Sequence, residues 1–150
     1  MRQKTSLENH DLSKLWKNFL SQRNKINGQT TNELISLAVY SPTYFDKFDA
    51  RNQFERWVAL EVGSFENVPK GMKTFVLPRG LYAIFSHKGI STDYSVFQYI
   101  FSTWLPSSDY LLDNRPHLEI LGDRYKNNDP NSEEEILIPV KNKDVGDGLN

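Results

Sequence analysis

The sequence predicts an α+β domain in which two similar units share an antiparallel sheet. Two amphipathic stretches of helical spacing, each carrying a tryptophan, are separated by short alternating stretches typical of strands. Each half of the chain has the order possible strand, helix, strand, strand, which predicts two units related by a pseudo-two-fold axis. The helices are expected to cover one face of the sheet. The opposite face is then expected to leave a central cleft between the halves.

The first predicted helix follows a possible edge strand at residues 2–7. Its apolar positions have the spacing of one helical face: Leu12, Leu15, Trp16, Phe19 and Leu20. Asn9 or Asp11 can cap its start, because both are good acceptors for the first free N–H groups of a helix.

Four strands are predicted in the middle of the chain. Residues 33–40 indicate a buried strand, and residues 54–61 alternate between two faces. Residues 72–77 and 81–87 are short apolar runs between proline and glycine positions.

The second predicted helix spans residues 92–105, with Ser91 or Thr92 as its cap and Pro106 as its end. Strands are predicted at 117–121 and 134–140. The domain is therefore expected to cover residues 1–141, with a disordered tail at 142–150.

Composition excludes several classes of site. The chain has 150 residues and no cysteine, which excludes disulfides, cysteine metal sites and a cysteine nucleophile. A formal charge of −1 argues against direct nucleic-acid binding, since such proteins usually carry a basic surface. The N-terminus lacks a signal sequence, and no apolar run is long enough to span a membrane, so a cytoplasmic location and no membrane partner are expected.

Several stretches together resemble the GyrI-like, or AraC-type effector-binding, domain family. They are FERWVALEV, the PKGM-to-LPRG stretch, YAIFSHKG, the helix ending in WLP, RPHLEIL and SEEEILIPVK. The resemblance covers residues 7–141 and rests on the ordered set more than on any one motif.

The resemblance implies two strand–helix–strand–strand repeats around a cleft that binds hydrophobic, often cationic, drugs and dyes. It also implies that the glutamate before the final strand, here Glu135, lies in that cleft. Some stand-alone relatives resemble hydrolases of cyclopropane-bearing genotoxins, and others are linked to gyrase, so a protein partner such as gyrase or a regulator is one expectation. A regulator needs two adjacent helices before the first clear strand; only one is predicted here, and the chain is expected to be a stand-alone member.

Candidate site residues lie on strands with acidic positions opposite apolar ones. Glu135 and Leu137 alternate with Ile136 and Ile138, so they are expected on the other face of the last strand. A carboxylate in a poorly hydrated cleft attracts a cation strongly. The alternative is that Glu135 is one of three solvated charges at a strand edge.

The remaining candidates combine a ring or a second carboxylate with Glu135. Trp57 and Glu61 share a strand face and could cradle an organic cation. Tyr82 could donate a hydrogen bond, and Trp104 could form a wall of the cleft; core packing is the alternative for Trp57, Tyr82 and Trp104. Glu119 shares a strand face with His117, but two potential ligands are too few for zinc, so no metal and no cofactor are predicted.

Two functions remain open from the sequence. The first is binding of an aromatic, cationic small molecule for sensing or sequestration. The second is hydrolysis of a reactive small molecule by Glu61 and Glu135 with Tyr82. The sequence does not decide whether the protein is an enzyme.

Overall fold

The computed structural model describes residues 1–144 and shows an antiparallel sheet of seven strands with two helices. In chain order the elements are β1 Arg2–Thr5, α1 Ser13–Gln22, β2 Leu34–Val39, β3 Phe54–Ala59, β4 Leu81–Lys88, α2 (bounds below), β5 Tyr110–Leu112, β6 His117–Leu121 and β7 Glu133–Asn142. A 3₁₀ turn at Arg23–Lys25 follows α1. The α+β class predicted from the sequence is confirmed.

Helix α2 is continuous but changes its winding in the middle. It is α-helical over Ser95–Tyr99, π-helical over Ile100–Trp104 and α-helical again over Leu105–Ser107. The Asp93 carboxylate accepts a hydrogen bond of 3.0 Å from the Ser95 N–H. The helix therefore begins after Asp93 and not at the predicted residue 92. Single π-helical turns within helices are frequent at functional sites.

The order of the strands reflects the two-unit organisation. The sheet runs β1-β3-β2-β6-β7-β4, and β5 pairs with the far end of β7. The order β1-β3-β2 mirrors the order β4-β7-β6, so each unit contributes an outer, a middle and an inner strand. The inner strands β2 and β6 pair with each other in the antiparallel direction, with Ser36 opposite Glu119. The boundary between the units therefore lies at the centre of the sheet.

Each helix covers its own half of one sheet face. Leu15 and Phe19 of α1 pack on Val58 of β3. Ile100 of α2 packs on Ile136 and Ile138 of β7. These are two separate clusters, and the strip of sheet between them is not filled by either helix.

The opposite face has a third core under an extended segment. Leu37, Trp57 and Leu118 are buried there with Phe75 packed against them. The ring centroids of Trp57 and Phe75 are 5.2 Å apart. The strand predicted at residues 72–77 is wrong, because this segment has no strand pairing: Phe75 packs on the third core and Met72 packs on the cluster under α1.

Other sequence predictions agree closely with the structure. The strand at 117–121 is confirmed at its bounds, and those at 33–40, 54–61, 81–87 and 134–140 differ from the observed strands by at most two residues at either end. Asp11 accepts a hydrogen bond from the Ser13 N–H at the start of α1. The three-residue strand β5 was not predicted. The predicted tail begins inside β7, and its residues 145–150 lie outside the described residues.

Within residues 1–144, neither helix has the length and apolar character needed to cross a bilayer.

The clusters under the helices predict unequal costs for two similar substitutions. Ile138 is fully buried, and Ile84 of the neighbouring strand is 62% exposed on the opposite face. We expect Ile138→Ala to lower the free energy of unfolding by about 3 kcal/mol through lost burial and a residual cavity. The matched Ile84→Ala is expected to cost less than about 1 kcal/mol. Urea denaturation of both variants checks this, and equal losses would contradict the proposed core.

Candidate ligand-binding site

A cavity of about 880 Å³ lies over the strip of sheet that the two helices leave open. Its floor is formed by β2, β3, β6 and β7, and its sides by α2, the 40–48 loop and residues just before α1. The lining residues are Leu7, His10, Ala38, Tyr40, Tyr44, Phe45, Phe48, Arg56, Tyr94, Phe97, Gln98, Phe101, Ser102, His117, Leu118, Glu119, Ile136 and Ile138. The cleft was predicted on the face opposite the helices; that placement is wrong, because the core of Leu37, Trp57 and Leu118, with Phe75 packed against it, occupies that face.

Aromatic side chains dominate the walls. Phe45 of the loop stacks on His117 of β6, with centroids 5.7 Å apart and an angle of 13° between the rings. Phe101, in the π-helical part of α2, stacks on His117 from its own side at 6.1 Å. At the mouth, Phe48 is 79% exposed and Tyr94 is 62% exposed. Large apolar rings left in water around a concavity are typical of a ligand site.

One acidic and one basic side chain stand on the floor of the cavity. The Arg56 Nη1 atom is 3.6 Å from the Glu119 Oε1 atom, and it donates a hydrogen bond of 3.3 Å to the Ser36 hydroxyl. Both charged side chains are largely covered, with 13% of Arg56 and 24% of Glu119 exposed. The two charges oppose each other at a distance longer than that of a direct hydrogen bond.

Three side chains of the cavity wall carry polar atoms that are buried without a hydrogen-bond partner among the described residues. They are His10 Nδ1, the Tyr44 hydroxyl and Arg56 Nε. Such atoms are uncommon in folded proteins, and a cluster of them calls for a local explanation. Because all three atoms lie in the cavity wall, a bound molecule could supply the hydrogen bonds that they lack.

Burial keeps His10, His117 and Tyr40 of the cavity uncharged at neutral pH. Desolvation, with a smaller effect of Arg56, lowers the pKa of His117 to about 3. Desolvation and then Arg56 also lower the pKa of His10, and desolvation raises the pKa of Tyr40 to about 12. At neutral pH, His117 therefore acts as an uncharged aromatic surface in contact with both Phe45 and Phe101.

A second carboxylate lies next to the cavity. Glu134 shares the sheet face of Ile136 and lines a neighbouring groove of about 500 Å³. Burial, and secondly the charge of Glu119, raise the pKa of Glu134 to about 7. Near neutral pH this group exists in both protonation states, so the negative charge beside Glu119 varies with pH.

The structure divides the sequence-predicted site residues between different places. Glu119 lines the cavity. Trp57, Tyr82 and Leu137 belong to the core on the opposite face, and Glu135 is exposed on that face. A binding role for these four residues stays a prediction, and they are separated from the cavity by the sheet.

Glu61 and Glu135 are not brought together. Glu61 follows β3 and Glu135 lies on β7, with β2 and β6 between them. Three strand spacings of about 4.8 Å place them roughly 14 Å apart or more. Both side chains are exposed. Glu135 lines the groove of about 500 Å³ together with Glu133 and Glu134, and Glu61 is not among the residues that line it. Hydrolysis by the Glu61–Glu135 pair stays a prediction.

Tyr82 and Trp104 have structural contacts. The Tyr82 hydroxyl donates to the Pro116 carbonyl at 2.9 Å, and the Arg115 guanidinium lies 4.6 Å from the centroid of its ring. Trp104 packs edge-to-face on Phe85 at 5.0 Å, within the cluster under α2. Core packing, the alternative considered for both residues, accounts for these contacts.

Sequence reasoning missed most of the cavity. The 40–48 loop reads as an irregular connection, although it supplies Tyr40, Tyr44, Phe45 and Phe48. Arg56 did leave a signal, since it interrupts the apolar face formed by Phe54 and Val58. A charge at such a position indicates either a defect in a core or the floor of a site. Within residues 1–144, no group of three His, Asp or Glu side chains could hold a metal ion.

Comparison with known proteins connects this geometry to a family. The sequence profile of the Cass2 family, described as integron-associated effector binding protein, matches residues 1–140. The transcriptional regulator BrlR of Pseudomonas aeruginosa is 26% identical over 132 residues, which are 86% of this chain and 46% of BrlR. The chain therefore spans about half the length of that relative.

A solved structure shares the fold. SAV2435, determined with bound tetraphenylphosphonium, superimposes with a TM-score of 0.67 over 94% of this chain and 86% of its own. The sequences are 12% identical. This likeness supports the fold, and together with the family match it confirms the GyrI-like resemblance.

The position of Glu134 predicts how stability changes with pH. The folded protein retains the Glu134 proton up to about pH 7, and the unfolded chain releases it near the ordinary value of 4.5. Stability is therefore lost as the pH rises from about 4.5 through about 7. After allowance for solvent screening, the loss is about 1–2 kcal/mol. Glu134→Gln removes this titration, so its urea midpoint is expected to fall less between pH 5 and pH 8.

The control is Glu135→Gln, which removes an exposed carboxylate from the next position of the same strand. This variant is expected to keep the wild-type fall in stability. An unchanged pH dependence in Glu134→Gln would contradict the assignment.

Proposed function

The chain belongs to the integron-associated effector binding protein family, and on that premise we propose that its central cavity binds an aromatic, positively charged small molecule. Small-molecule binding follows from membership of this effector-binding family. The chemistry of the ligand and the residues that hold it are the proposal.

The observation that carries the proposal is a large ring-lined cavity with a carboxylate on its floor. Ligand sites in proteins commonly have volumes of roughly 300–1,000 Å³, predominantly apolar walls and a few placed polar groups. The cavity of about 880 Å³ has this character, with rings from the loop and from α2 facing each other across it. Phe45 and Phe101 stand 6.3 Å apart at an angle of 21°, and flat rings of a ligand can stack beside them.

The charge preference rests on the two carboxylates. Glu119 is within the cavity and Glu134 is beside it, and the charge of Arg56 opposes both. With Glu134 ionised, the three groups carry a net charge of −1. A low effective dielectric strengthens the attraction of this charge for an organic cation. The tetraphenylphosphonium bound to SAV2435 supports the same class of ligand.

The first prediction identifies the carboxylate that holds the cation. Glu119→Gln is expected to weaken binding of tetraphenylphosphonium by about tenfold or more, because the substitution removes the negative charge and leaves Arg56 unopposed. Isothermal titration calorimetry at pH 8 measures the change. The melting temperature of each variant reports whether the fold is retained.

Glu135→Gln is the matched variant on the opposite face, at the position that the family resemblance implies. We expect its affinity for tetraphenylphosphonium to equal that of the wild type. Loss of binding in Glu135→Gln with retention in Glu119→Gln would move the site to the opposite face and overturn the proposed cavity.

The second prediction concerns the pH dependence of binding. As the pH rises from 6 to 8, Glu134 loses its proton, and the affinity for tetraphenylphosphonium is expected to increase by about three- to tenfold. In Glu134→Gln the affinity is expected to stay nearly constant over this range. A wild-type affinity that is flat or falls with pH would contradict a role for Glu134.

A further inference from the structure

Arg56 is the one basic side chain on the cavity floor among the described residues that line it. Strand β3 presents Phe54, Arg56 and Val58 to the helix-covered face, and the two flanking residues are buried core residues. Arg56 of β3 lies directly opposite Ala38 of β2. The small side chain of Ala38 leaves room for the guanidinium beside Tyr40 and Glu119. The fold therefore holds a permanent positive charge in the middle of an aromatic cavity.

The contacts of Arg56 are few for a side chain so well covered. A guanidinium has five N–H donors. Within residues 1–144 it makes one hydrogen bond, to the Ser36 hydroxyl at 3.3 Å, and its Nε atom is buried with no partner. The guanidinium carbon also lies 5.8 Å from the centroid of the Phe54 ring. Most of its hydrogen-bonding capacity is unused.

The pairing of Arg56 with Glu119 is correspondingly loose. Their nearest atoms are 3.6 Å apart, which is beyond the 2.7–2.9 Å typical of a charge-assisted hydrogen bond. The remaining titratable groups near this pair are His10, His117, Tyr40, Tyr125 and Glu134. The first four are uncharged at neutral pH, so Arg56 is the charge that opposes Glu119 in the cavity. Glu134 also has His87 opposite it on β4.

From this arrangement we infer that Arg56 is a specificity-determining residue: it is a built-in cation that competes with the ligand's charge for Glu119. An uncharged aromatic ligand can occupy the ring-lined space with the Arg56–Glu119 pair intact. A cationic ligand can pair with Glu119 only if it displaces Arg56 from this carboxylate or shares the carboxylate with Arg56. Arg56 thereby lowers the ratio of the affinity for cationic ligands to the affinity for neutral ones. Neutral aromatic ligands can then bind in the same cavity. This inference rests on the proposed function.

The test compares a cation with an uncharged molecule of the same shape. The probes are methyltriphenylphosphonium and its carbon isostere 1,1,1-triphenylethane, with both dissociation constants measured by equilibrium dialysis at pH 8. The readout is the ratio of the affinity for the cation to the affinity for the isostere. Arg56→Met is expected to raise this ratio by about tenfold or more, since it removes a like charge from the cation's site.

Two further variants separate charge from packing. Arg56→Lys keeps the positive charge and is expected to keep a ratio close to that of the wild type. Arg2→Met removes an arginine whose side chain lies over Trp57 on the opposite face, and it is expected to leave the ratio unchanged.

The outcomes distinguish this inference from the proposed function. If both probes bind but Arg56→Met leaves the ratio unchanged or lowers it, Arg56 does not compete with the ligand and the inference is overturned alone. An equal rise in Arg56→Lys and Arg56→Met would also overturn it, because shape and not charge would then set the preference. If neither probe binds the wild type or Arg56→Met, the proposed function fails and the inference fails with it.

Discussion

The antiparallel pairing of β2 with β6 is the constraint on which the rest of the molecule depends. It joins two similar three-stranded units at the centre of one sheet, with Ser36 opposite Glu119. Each unit brings one helix, and each helix covers the middle strand of its own unit. Because each helix packs on the middle strand of its own unit, the strip over β2 and β6 is left open on that face, with Phe101 of α2 reaching His117 at its edge. The cavity therefore follows from the way the sheet is assembled.

The two faces of the sheet use the same alternation for different purposes. On one face, Leu37, Trp57 and Leu118 close together under Phe75 and form a core. On the other, the residues next to them along the strands, Ala38 and His117 among them, form the floor of the cavity. A buried strand of this sheet therefore contributes to stability through one side and to the site through the other. A substitution on the core side is expected to lower stability, and a substitution of the next residue along the strand is expected to change ligand binding.

Local patterns in the sequence were sufficient for the fold class and for most of the elements, but not for the location of the site. Alternation correctly put Glu135 and Ile136 on different faces of β7, since a strand has a period of two residues. Which face carries a cavity depends on where the helices and the 72–77 segment pack, and those contacts join residues far apart in the chain. The aromatic 40–48 loop has no periodicity, so its role could not be predicted. Arg56 could have been recognised, because a charge within an apolar strand face is a local signal.

The cavity walls come from both units of the chain. The 40–48 loop belongs to the first unit and α2 to the second, and their rings meet over His117. A ligand that contacts both walls links the two units noncovalently, in addition to the pairing of β2 with β6 and the core that Leu37, Trp57 and Leu118 share. Binding of the ligand raises the free energy needed to separate the two units. Ligand binding is therefore expected to stabilise the whole sheet, including residues that do not contact the ligand.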